Sequence, residues 1–64
     1  MLTLRVDYDE DAWVSQCPEL GVVSQGDTFQ EAVFNIVEAT YLYLETLKDA
    51  GELKQTLAEK GIRP

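Results

Sequence analysis

Leu2, Leu4, Val6 and Tyr8 alternate with Thr3, Arg5 and Asp7, the period-2 pattern of a strand with one buried face. The alternation breaks at Asp9, Glu10 and Asp11 and resumes over Ala12-Trp13-Val14-Ser15-Gln16-Cys17, so a charged hairpin turn is expected between two antiparallel strands. Pro18 ends the second strand, because it has no N–H to offer a ladder. Gly21 and Gly26 bracket Val22 to Gln25, a β-branched run expected to form a short third strand, with a glycine at each end to permit backbone turns.

After Gly26 the period changes. In Asp27-Thr28-Phe29-Gln30-Glu31 the Thr28 hydroxyl can accept from the Glu31 backbone N–H while Glu31 reaches back, a capping box that opens a helix. At about 100° per residue, Phe29, Val33, Ile36, Val37, Thr40, Tyr43, Leu44 and Leu47 share one face with Ala32 beside them, and Glu31, Glu38, Glu45 and Asp49 lie opposite. The helix is expected to cover the sheet and to end near Ala50, since Gly51 suits the left-handed position and Lys48 complements the helix dipole. Leu53 and Leu57, four apart within Glu52 to Lys60, predict a short helix docked by one edge and closed by Gly61 and Pro64. The expected fold is α+β: one domain over residues 1–64, with a three-stranded antiparallel sheet packed by one long helix (β-β-β-α), plus a short C-terminal helix.

Some apolar residues are left over from this packing. Phe34 and Tyr41, seven apart, project about 120° to 140° from Phe29, and Leu42 lies on the other side. Exposed aromatic groups commonly mark protein contacts, although a curved sheet would cover them. Trp13 divides similarly between core anchor and interface. The expected partner or oligomer interface therefore consists of Asp9, Glu10 and Asp11 of the hairpin together with Trp13, Phe34 and Tyr41.

Size and charge narrow the function. A domain of this length buries only ~60% of the surface its unfolded chain exposes, so a monomer is expected to be marginal and self-association, as a homodimer or tetramer, is expected. The lone cysteine cannot form an internal disulfide, no stretch is long enough to span a bilayer, and Met1-Leu2-Thr3 lacks the parts of a signal peptide. A soluble, cytoplasmic protein without membrane contact is expected. Twelve acidic residues against five basic ones leave a net charge of −7, and Arg5, Lys48, Lys54, Lys60 and Arg63 are scattered. Such a surface repels phosphate, so direct nucleic-acid binding is not expected, whereas a basic protein partner would be attracted. The same acidity also serves solubility alone.

Little in the chain suggests catalysis. Without histidine there is no Cys-His or Ser-His pair. Asp7, Asp9 and Asp11 share the spacing that opens a calcium loop, but Ala12 and Pro18 occupy the positions where that loop needs glycine and glutamate. Cys17 has no neighbouring cation in sequence and reads as a small core residue, and Gly21 and Gly26 lack the pattern of a phosphate loop. No metal or cofactor is expected.

The order of motifs points to a family. An acidic turn at Asp7 to Asp11 is followed by Trp13, Pro18-Glu19-Leu20, Ser24-Gln25-Gly26-Asp27-Thr28 and Glu31-Ala32. Over nearly its whole length the chain resembles the HicB-like antitoxins of type II toxin–antitoxin systems, whose core is a partial ribonuclease H fold. The resemblance implies binding to a HicA-like mRNA-cleaving toxin and neutralisation by occlusion, with no cofactor. Its fold also raises two-metal nuclease chemistry, for which Asp7 has no obvious set of partner carboxylates, so no enzyme is expected. Many members add a DNA-binding module after the core, but here only Gly61 to Pro64 follow the last helical segment. Operator binding is therefore not expected. A solitary homo-oligomeric module without a toxin is the alternative.

Overall fold

In the computed structural model, which describes residues 2–62, the N-terminal alternation folds as β1 (Arg5–Asp9) and β2 (Ala12–Cys17), followed by β3 (Val22–Gly26). The three form one antiparallel sheet in the order β1-β2-β3. β1 starts later than the alternation predicts, yet Leu2 still packs against the core from outside the strand. Glu10 and Asp11 make a two-residue turn with φ of 45° and 68°. Positive φ at both central residues is the arrangement whose twist matches the flanking strands, but without glycine it costs roughly 1–2 kcal/mol per residue. At the other end Leu20 and Gly21 both donate to the Cys17 carbonyl, and Gly21 takes the left-handed conformation at φ 69°.

Register decides which side chains share a face. Tyr8 pairs with Trp13 and Val6 with Ser15, while Gly26, Ser24 and Val22 pair with Trp13, Ser15 and Cys17. Directly opposed residues point the same way, so these eight line one face, and Arg5, Asp7, Asp9, Val14, Gln16, Val23 and Gln25 line the other. Ser15 and Cys17 are fully buried, which identifies the first face as the one beneath the long helix.

That helix, α1 (Phe29–Asp49), begins as expected: Thr28 Oγ1 accepts from the Glu31 N–H at 3.0 Å. Glu31 reaches one residue further back than a standard capping box, its Oε2 accepting from the Asp27 N–H at 2.9 Å. Gly26 proves necessary for a different reason from the expected turn. Its φ is not positive; instead, a Cβ there would lie 2.6 Å from Ala32 N and 2.7 Å from Glu31 Cβ. Glycine lets the first helical turn rest directly on the end of β3.

Two Schellman motifs close the helices. After α1, Gly51 (φ 74°) donates to the Lys48 carbonyl and Glu52 to that of Leu47. After α2 (Leu53–Glu59), Gly61 (φ 70°) donates to Ala58 and Ile62 to Leu57. The second motif turns Ile62 inward, where it joins Cys17, Leu20 and Ile36 in the buried cluster. Pro64, expected to help close this segment, lies outside the described residues.

The helix does not cover the sheet evenly. Only Asp27 and Thr28 separate β3 from α1, and a helix ~10 Å wide spans about two strands spaced ~4.8 Å apart. α1 accordingly packs most on β3, less on β2 and least on β1. Asn35 Nδ2 fixes this offset by donating to the Gln25 carbonyl of β3 at 2.7 Å. The buried stripe is consequently Ala32, Ile36 and Thr40. Phe29 and Val37, expected on the covered face, are about half exposed, because the helix is rotated and displaced toward β3.

Candidate functional site

The displacement leaves an open trough along β1. Val6 and Tyr8 face the helix side of the sheet, and Leu4 continues their alternation, yet Leu4 and Tyr8 are exposed. Asn35 and Ala39 mark the flank of α1 that faces β3, where Val22, Ala39, Leu42, Tyr43, Thr46 and Leu47 line a shallow groove. On the other side of the helix Val37 lies about 100° from Ile36, and Phe34 and Tyr41 lie about 140° to 160° from it, turned off the sheet in line with Glu38 and Glu45. Phe34, Val37 and Tyr41 are 64%, 50% and 61% exposed.

Aromatic rings close one end of the trough. Trp13 meets Tyr8 edge to face, with ring centroids 5.2 Å apart, and meets Phe29 in the same manner at 5.5 Å. Such pairs are worth about 0.5–1.5 kcal/mol beyond their buried area. Trp13 thus anchors the β1-β2 hairpin to the first turn of α1 while remaining partly exposed. Immediately beyond it lie the exposed Asp9, Glu10 and Asp11. The result is an acidic tip beside an aromatic shelf.

Of the residues expected at an interface, the fold places the three acids and Trp13 at one end of the sheet, and Phe34 and Tyr41 two turns apart on α1. Val23 on the outer sheet face and Leu42 on the β3 flank of α1 are exposed as well, and so are Leu4, Tyr8, Phe29 and Val37. Periodicity had assigned these last four to covered faces. The available signal was the short Asp27-Thr28 link, which confines a single helix to the β3 side.

Elsewhere the polar chemistry is structural. Thr3 donates to Glu19 Oε1 from its backbone N–H at 2.9 Å, tying the lead-in of β1 to the β2-β3 loop. Hydrogen bonds from the Thr3 side chain and then its backbone hold the Glu19 carboxyl down at about 2, well below its ordinary 4.5. Cys17 Sγ also approaches Glu19 Oε1, at 3.8 Å, from its buried position. Arg5 and Asp7 form a loose, exposed ion pair at 3.8 Å on the outer sheet face. Asp7 and Asp9 project from that face and Asp11 sits in the turn, and among the described residues no group of three His, Cys, Asp or Glu side chains is placed to hold a metal ion. No helix among the described residues is long and apolar enough to cross a membrane.

No protein-family model and no solved structure matches the chain. A stretch of 32 residues is 62% identical to the UPF0150 protein ssr1765 of Synechocystis sp.. It covers 48% of this chain and 40% of that protein, so the chain spans less than half the length of the relative it matches. Sequence similarity thus links about half of the chain to a UPF0150 protein.

Proposed function

We propose that this chain is a HicB-like antitoxin module that binds a small, basic, HicA-like mRNA-cleaving toxin and neutralises it by covering its RNA-binding or active surface. One observation carries the reading: an acidic tip, Asp9 to Asp11, stands beside the Tyr8-Trp13-Phe29 shelf. A protein that cleaves RNA must present cations to phosphates, and a run of carboxylates competes for the same cations. The net charge of −7 speeds the encounter, and exposed Tyr and Trp rings are the side chains best suited to anchor a protein interface. The motif order from Pro18 to Ala32 and the similarity to a UPF0150 protein support the family assignment. Occlusion needs no cofactor and no chemical step on this chain, and the acidic surface keeps it from binding RNA itself. The proposed setting is the cytoplasm, where the toxin meets mRNA.

The test uses the purified chain and the small basic protein encoded beside its gene. Cleavage of an RNA substrate is expected to fall to background near equimolar chain. Inhibition is expected to weaken on the order of tenfold or more in the triple variant Asp9→Asn, Glu10→Gln, Asp11→Asn. Undiminished cleavage in excess chain would end the antitoxin reading. The exposed apolar side chains of Leu4, Tyr8, Phe34, Val37 and Tyr41 favour a second reading: a homo-oligomeric module that acts without a toxin.

A further inference from the structure

The few cations of this acidic chain are unevenly spread. Two of the five, Lys48 and Lys54, line a groove of about 600 Å³ between the last turn of α1 and α2. We propose that this groove binds a single-chain aliphatic carboxylate, its head held by the two lysines and its tail lying along α2. The site is independent of toxin binding and of self-association.

Backbone geometry shapes the groove. Gly51 lies in its lining and ends α1 at φ 74°, turning the chain back so that α2 packs beside the helix it follows. Leu53 and Leu57, four apart and therefore on one face of α2, form the wall. At the far end the Gly61 turn, at φ 70°, brings Ile62 inward. Leu57 packs on the buried cluster and Ile62 belongs to it, so the floor of the groove is the back of the core and is formed before any ligand arrives.

The lining selects the ligand. Leu53, Leu57, Ala58 and Ile62 present hydrocarbon, and among the described residues no Asp or Glu contributes to the lining. The volume lies within the ~300–1,000 Å³ of small-molecule sites, which are mostly apolar with a few placed polar groups. Here the polar groups stand at one end. Lys48 lies three residues before Gly51 and Lys54 three after, whereas Ala58 is about one turn, ~6 Å, farther along α2. Both lysines are exposed, so their stems line the groove while the ammonium groups stay in water. A ligand with one anionic end and an unbranched apolar body matches that division. Asp49 and Glu52 share the turn but are exposed and stand outside the lining; they weaken the head contact without filling the site. An acidic protein helix fits less well, because the seven residues of α2 offer ~10 Å of wall, just under two turns.

Titration of the ¹⁵N-labelled full chain with sodium decanoate, kept below the concentration at which it forms micelles, tests the site. Saturable amide shifts are expected at Gly51, Lys54, Leu57, Ala58 and Ile62. Shortening the probe to octanoate is expected to weaken binding on the order of tenfold, since each buried methylene is worth roughly fourfold. Lys48→Gln combined with Lys54→Gln is expected to weaken decanoate about tenfold and to leave decanol, its uncharged counterpart, within about twofold. Ala58→Phe, which fills the groove from an exposed position, is expected to abolish binding of both probes; the exposed lysine variants still report if that substitution disturbs the fold. No saturable shift, equal affinity of the unaltered chain for decanoate and decanol, or shifts centred on Phe34 and Tyr41 would overturn the proposal. Groove shifts that follow protein concentration in the absence of probe would overturn it too, by placing a second copy of the chain there.

Discussion

The two flanks of α1 carry similar residues in opposite circumstances. On the β3 flank, Ala32 sits directly against Gly26, Asn35 is hydrogen-bonded to Gln25, and Ile36 has no exposed surface. One residue on, Val37 is half exposed, and Phe34 and Tyr41 farther round the helix are more so. Hydrophobicity does not separate Ile36 from Val37; position relative to a sheet wider than one helix does. The residues turned onto the sheet therefore hold the fold, while those turned off it, Leu42 on the β3 flank included, stay in water.

Neighbouring substitutions break this comparison most sharply. Ile36→Ala is expected to cost about 2–5 kcal/mol, enough to unfold most molecules of so small a domain. Val37→Ala, measured at concentrations too low for self-association, is expected to cost less than ~1 kcal/mol, because the side chain is already half in water. Urea denaturation of both variants decides the matter, and equal losses would mean that the trough is part of the core.

A smaller effect is expected from Gly26→Ala. The added methyl would meet Ala32 N at 2.6 Å, so α1 must lift from β3, at a cost of about 1–3 kcal/mol. The position tests the seat of the helix rather than a turn, since its φ is not positive. Unchanged stability would show that the helix can shift without loss.

The gentlest probe is pH, acting on the tie between Thr3 and Glu19 that anchors the open side. Glu19 is held at about 2 in the fold against an ordinary 4.5, so the folded state binds this proton more weakly than the unfolded chain does. Its contribution is fully present above about pH 4.5 and is lost as pH falls toward 2. Melting curves across that window are expected to drop less steeply for Glu19→Gln than for the unaltered chain. Parallel curves would mean that the tie does not form in solution.

Reading the chain along its length recovered the elements because each is signalled locally. The hairpin at Glu10-Asp11, the stop at Pro18, the cap at Thr28 and the left-handed Gly51 are determined by residues within a few positions of one another. The candidate site was legible only in part. Phe34 and Tyr41 stood out by failing the stripe, and Asp9 to Asp11 by charge, whereas Leu4, Tyr8, Phe29 and Val37 matched a buried pattern and gave no sign of exposure.

The sequence by itself determined the order of β1-β2-β3-α1-α2, the alternation along the strands and the helix boundaries, since these follow from backbone sterics and short-range hydrogen bonding. Tertiary structure alone decided which apolar residues are hidden. A period shows that side chains share a face but not what lies against it. Here a two-residue link and a glycine contact seat one helix over two of three strands, leaving the apolar side of β1 in solvent.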